Sequence, residues 1–113
     1  MKILFDHSAP DKLVKFLIAR HTVTLSRNMG WKELENGDLL LAAEAAGFEM
    51  LLTSDKNLRY QQNLEGRRIA LVVLGQGNWP LIKPYVAQVV AAVNTATPGS
   101  FVEVDIPLPP KSS

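Results

Sequence analysis

Apolar and polar positions follow two rhythms along the chain, and each rhythm predicts a kind of element. Lys2–Phe5 (KILF) is a short apolar run stopped by Asp6 and Pro10, which predicts a buried strand. Pro10 suits the first turn of a helix, because its missing N–H would lack a partner there anyway, and Asp11 adds negative charge at that start. Leu13, Val14, Phe16, Leu17 and Ile18 give the helix an apolar face. His21–Leu25 (HTVTL) alternates and is β-branched, so it predicts a second strand. Positions 26–35 are irregular, with room for one short helix.

A strong helix opens at Asn36-Gly37-Asp38, where Asn36 can cap and Asp38 sits in the first turn. Its run LLLAAEAA is apolar nearly all round, which predicts burial on more than one side, and Gly47 ends it as a C′ glycine. Glu49–Thr53 (EMLLT) predicts a third strand, with Ser54-Asp55 capping a helical turn, and Arg59–Arg68 reads as a polar loop. Ile69–Leu74 (IALVVL) is a continuous apolar run of the kind buried in a parallel sheet. Gly75–Pro80 is a turn, and Leu81–Asn94 is amphipathic, with Pro84 inside the first turn of one helix. After a turn at Pro98-Gly99, Phe101–Ile106 alternates and puts Val102, Val104 and Ile106 on one face, as in an edge strand with one wet face. The order β-α-β-α-β-α-β-α-β predicts an α/β fold, a single domain over residues 1–106 with a mainly parallel sheet and helices on both faces. Residues 107–113 (PLPPKSS) are expected to be a disordered tail.

Composition narrows the function classes. Twelve Lys+Arg against eleven Asp+Glu give a net charge of +1, which excludes a binder held to nucleic acid by bulk charge. The absence of cysteine excludes disulfides, zinc-thiolate sites, iron–sulfur clusters and thiol nucleophiles. No apolar run is long enough to span a bilayer, and the start MKILFDHSAP lacks the apolar stretch of a signal peptide. A cytoplasmic protein without membrane attachment is the expectation.

In open α/β sheets, ligands bind beyond the carboxyl ends of the strands. The polar residues that follow strands are therefore the candidates: Asp6 and His7 after the first, Thr53, Ser54 and Asp55 after the third, Gln76 and Asn78 after the fourth. Asp38, at the start of the buried helix, would face the same rim. Three carboxylates gathered there repel one another unless a cation sits among them, and a hard divalent ion such as Mg²⁺ answers that need with oxygen ligands, waters and shared phosphate oxygens. Each acid also has a plainer role: Asp38 as a helix-start charge, Asp55 as a cap. Asp6 has no local capping pattern to account for it. Gly75-Gln76-Gly77 is a turn, since it lacks the third glycine and the strand-to-helix opening of a dinucleotide fingerprint.

Three strings, KILFD-x-x-x-P at the start, N-G-D-L-L-x-x-A at the central helix and L-L-T-S-D-K-N-L after the third strand, resemble the PIN-like nuclease superfamily. The nearer likeness is to its compact, toxin-associated branch, and it spans roughly residues 2–75, where those three motif anchors fall. The resemblance implies a metal-dependent ribonuclease, toxin-like, with Asp6, Asp38 and Asp55 as catalytic residues and ligands of Mg²⁺ (or Mn²⁺). Asn57 stands where the family often has another Asp or Asn. Lys56, Arg59, Arg67 and Arg68 flank Asp55 and offer a local basic region for an RNA backbone. Tyr60 or Trp79 could stack a base, although the tryptophans also suit packing or interface roles. The family further implies an antitoxin protein as partner and a homodimer.

The chain departs from the pattern at His7-Ser8, where many relatives carry an acid and an amide, and a further acid is matched only loosely by Glu33 or Glu35. A catalytically inactive PIN-like binding module is therefore the alternative. A phospho-receiver is a third reading, with the triplet Lys83-Pro84-Tyr85, but it wants paired acids after the first strand and its lysine at a strand end. The segment Tyr60–Leu64 fits none of these patterns.

Overall fold

The computed structural model describes residues 1–31, 33–34, 36–55 and 67–107. Five strands, β1 (Lys2–Phe5), β2 (Thr22–Leu25), β3 (Met50–Thr53), β4 (Ala70–Leu74) and β5 (Phe101–Val104), form one sheet in the order β2-β1-β3-β4-β5. Every pairing is parallel. Among the described residues, the α-helices are α1 (Asn36–Ala45), α2 (Trp79–Ile82) and α3 (Val86–Thr95). The expected single-domain α/β architecture, with helical layers on both faces, is what the chain adopts.

Strand alternation divides the core in two. On one face Ile3, Phe5, Met50, Leu52, Ala70, Val72 and Leu74 pack against Leu13, Leu17, Ile82, Val89 and Val93. On the other, Leu4, Leu51, Leu71 and Val73 pack against Leu39, Leu40 and Ala43 of α1. β4 is buried at every position, as its continuous apolar run requires. At the edge, Val104 and Ile106 are buried while Phe101 and Glu103 face outward, so β5 has the wet face expected of it.

Three expectations change. The segment after Pro10 is a 3-10 turn, Asp11–Phe16, and it buries Leu13 and Leu17 but leaves Phe16 40% and Ile18 58% exposed. Five apolar side chains within six positions exceed one contact stripe, so some must face out. Among the described residues, helix α1 is covered on one side only, by the sheet beneath it, and Leu41 on the other side is 51% exposed. The single helix expected over Leu81–Asn94 is two helices joined by a 3-10 turn at Lys83–Tyr85. Here Pro84 falls inside the helical run, where it lacks an N–H and its ring crowds the carbonyl four residues back.

Helix α1 ends as its sequence predicts. Gly47 has φ 88°, its N–H reaches Glu44 O at 3.1 Å, and Phe48 N–H reaches Ala43 O at 3.0 Å. The Asn36 cap, the polar loop through 56–66 and the tail from 108 to 113 lie outside the described residues and side chains. Among the described residues, no helix is long and apolar enough to cross a membrane.

Candidate functional site at the β1–β3 rim

From β1 the chain moves outward to β2, then returns across β1 to β3. The order therefore reverses between β1 and β3, and a crevice opens beyond their carboxyl ends. Phe5 pairs with Leu52 in the register, which sets Asp6 beside Thr53. Both side chains continue the alternation of Leu4 and Leu51 toward the α1 face.

Asp6 is 5% exposed, so its carboxylate must find donors inside the protein. Thr53 Oγ1 donates to Oδ2 at 2.7 Å and Ser8 Oγ donates to the same oxygen at 2.8 Å. His7 N–H donates to Oδ1 at 2.8 Å. The hydroxyls are themselves fixed: Ser54 N–H donates to Ser8 Oγ at 3.0 Å and Asp55 N–H to Thr53 Oγ1 at 3.0 Å. Ser54 Oγ adds a bond to Ser8 O at 2.8 Å. The loops after β1 and β3 are thus knitted around one carboxylate, and Thr53 links the acid of the first loop to the backbone of the second. The loop after β4 closes on both. A Cβ built on Gly77 would stand 2.7 Å from Ser54 Oγ and 2.9 Å from Ser8 O, so only glycine fits that approach.

The remaining accepting direction on Oδ1 faces His7 Nδ1 at 3.0 Å, and the His7 side chain is 67% exposed. Among the described residues, this is the one contact of the carboxylate not made by backbone or by a hydroxyl of the two loops. A small cleft beside it is lined by Asp6, His7, Asp11, Ser26 and Arg27. Arg27 pairs with Asp11 at 2.6 Å, both half-exposed, a geometry whose net worth in water is about 0–1 kcal/mol.

The expected site residues are placed as follows. Asp6 and Asp55 stand at the ends of neighbouring strands, Asp6 buried and Asp55 half-buried. Asp38 lies in the first turn of α1 and is exposed. Among the described residues, no three His, Asp or Glu side chains form a group able to hold a metal ion. Arg67 and Arg68 precede β4, at the amino edge of the parallel sheet, away from the rim; Arg67 Nη1 lies 3.3 Å from Glu44 Oε1, and Arg68 N–H donates to Glu44 Oε2. Lys56, Asn57, Arg59 and Tyr60 lie outside the described residues.

Ser8 and Arg27 belong to the rim but carry no motif. Arg27 follows β2 just as His7 follows β1, so the strand expected over His21–Leu25 already places it at a strand end. Protein-family models, curated proteins and solved structures were compared with the chain, and none matches.

Proposed function

We propose that the protein is a metal-dependent ribonuclease of the PIN-like kind, cutting single-stranded or looped RNA at the β1–β3 rim. The observation that supports this reading is the placement of Asp6 and Asp55 on adjacent strand ends at the reversal point of the sheet. Two carboxylates suit Mg²⁺ or Mn²⁺, which take one or two of them and complete the shell with waters and phosphate oxygens. The fit rests on Oδ1 of Asp6, whose outward direction meets the exposed ring of His7.

Asp6 and Asp55 are the residues that would hold the ion. When bound, it activates a water and neutralises charge on the scissile phosphate. Ser8 and Thr53 keep the Asp6 carboxylate at a fixed angle. The exposed His7 ring is the contact that an ion would displace from Oδ1. Arg27 exchanges its weak surface pair with Asp11 for a phosphate oxygen at the mouth of the cleft. Arg67 and Arg68, at the amino edge of the sheet, take no part. The exposed Asp38 acts at most on the outer shell. A toxin-like role, an antitoxin blocking the rim and a homodimer belong to the same proposal.

A second reading, a PIN-like binding module without turnover, is favoured by the closed set of hydroxyl and amide donors around Asp6. Purified protein incubated with unstructured and hairpin RNA in Mg²⁺ or Mn²⁺ separates the two. The ribonuclease reading expects cleavage that Asp6→Asn and Asp55→Asn each abolish and Asp38→Asn reduces less. Absence of cleavage in wild type, with RNA still bound, selects the binding module; cleavage surviving both rim substitutions refutes the site.

A further inference from the structure

A second surface adjoins the rim. Between the Asp11–Phe16 turn and α2 lies an open groove of about 530 Å³, lined by Lys12, Lys15, Phe16, Ile18, Trp79 and Lys83 among others. Phe16 and Ile18 stand outside both core clusters and remain 40% and 58% exposed. The Phe16 and Trp79 rings stand 6.0 Å apart at 31°, and Lys15 Nζ lies 5.2 Å from the centre of the Phe16 ring. The acid in this lining is Asp11, outnumbered by the three lysines. The groove is therefore cationic in a chain whose net charge is only +1.

Charge and ring content together choose the occupant. Protein interfaces are depleted in lysine, so three lysines around two aromatic rings argue against a protein partner. The same combination suits a single-stranded nucleic acid, whose phosphates take the ammonium groups and whose bases stack on the rings. Asp11 lines both this groove and the Asp6 cleft, which sets the two side by side.

We propose that this groove is a track for single-stranded RNA leading to or from the rim, with Lys12, Lys15 and Lys83 on phosphates and Phe16 and Trp79 as stacking platforms. The inference builds on the RNA reading above but concerns binding, so it is tested without turnover. A Trp31→Phe protein keeps Trp79 as its one indole. It is titrated in EDTA with an oligouridine of about 12 nucleotides, within the usual span of a single-strand site.

RNA is expected to quench Trp79. The Lys12→Gln/Lys15→Gln/Lys83→Gln protein should bind at least ~10-fold more weakly and lower the slope of log affinity on log salt by about 2, the loss of three phosphate contacts. Phe16→Ala should weaken binding about 5-fold or more. All three lysines and Phe16 are exposed, so unchanged melting curves are expected to accompany these losses. Equal RNA affinity in the wild-type and triple-Gln proteins overturns the track, even if the wild type cuts RNA. So does self-association dispersed by Phe16→Glu with no quenching by RNA. Lysine-dependent quenching in a protein that never cleaves keeps the track and removes the ribonuclease.

Discussion

At the scale of single residues, Asp6 decides most of what surrounds it. A carboxylate this deeply buried is tolerable only while its donors stay in place, because each lost bond exposes the cost of desolvation. Thr53→Val keeps the shape but removes a donor to Asp6 and the acceptor of Asp55 N–H. It is expected to lower stability by about 1–3 kcal/mol in urea melts, whereas an effect near zero would mean the network does not hold the rim. Glycine gives a second contrast. Gly47 and Gly99 both have positive φ, but a Cβ at Gly47 meets nothing within 4 Å while one at Gly99 would lie 2.6 Å from Arg67 O. Gly47→Ala should cost about 1 kcal/mol of conformational strain, and Gly99→Ala visibly more, read as a larger fall in melting temperature. Asp6 was legible in the sequence because an acid directly after an apolar run has no local role. Ser8 was not, since a serine in a loop looks the same whether it orients a carboxylate or meets water.

At the scale of elements, period and punctuation carried the strands. KILF, EMLLT, IALVVL and the alternating Phe101–Ile106 each form a strand within a residue or two of the expected limits. The helices were harder, because an apolar count says how much can be buried and not how much sheet is available to bury it. Among the described residues, the LLLAAEAA run meets a sheet on one side only. Leu40 is fully buried and Leu41 is not, so Leu40→Ala should cost about 2–5 kcal/mol while Leu41→Ala stays within about 0.5 kcal/mol. Denaturant melts of the pair check this, and equal costs would show that something covers the outer face of α1. The same reasoning explains Phe16 and Ile18, which the sequence places on a buried face and the structure leaves beside the lysine groove.

At the scale of the whole molecule, the reversal of strand order between β1 and β3 brings Asp6 and Asp55 to neighbouring positions from 49 residues apart in number. Sequence could name the two acids from what they follow, but their adjacency depends on the order of strands, which alternation alone does not specify. The position of Arg67 and Arg68 shows the converse: close to Asp55 in number, they are carried to the opposite edge because β4 begins where β3 begins. The Asp6 cleft and the groove share Asp11, so an RNA strand lying in the groove is expected to reach the ion at Asp6. Binding of Mn²⁺ followed by electron paramagnetic resonance tests that end most directly. Wild type should hold Mn²⁺ at a site that Asp6→Asn and Asp55→Asn each remove and Lys83→Gln does not. Identical Mn²⁺ binding by wild type and Asp6→Asn would contradict the account.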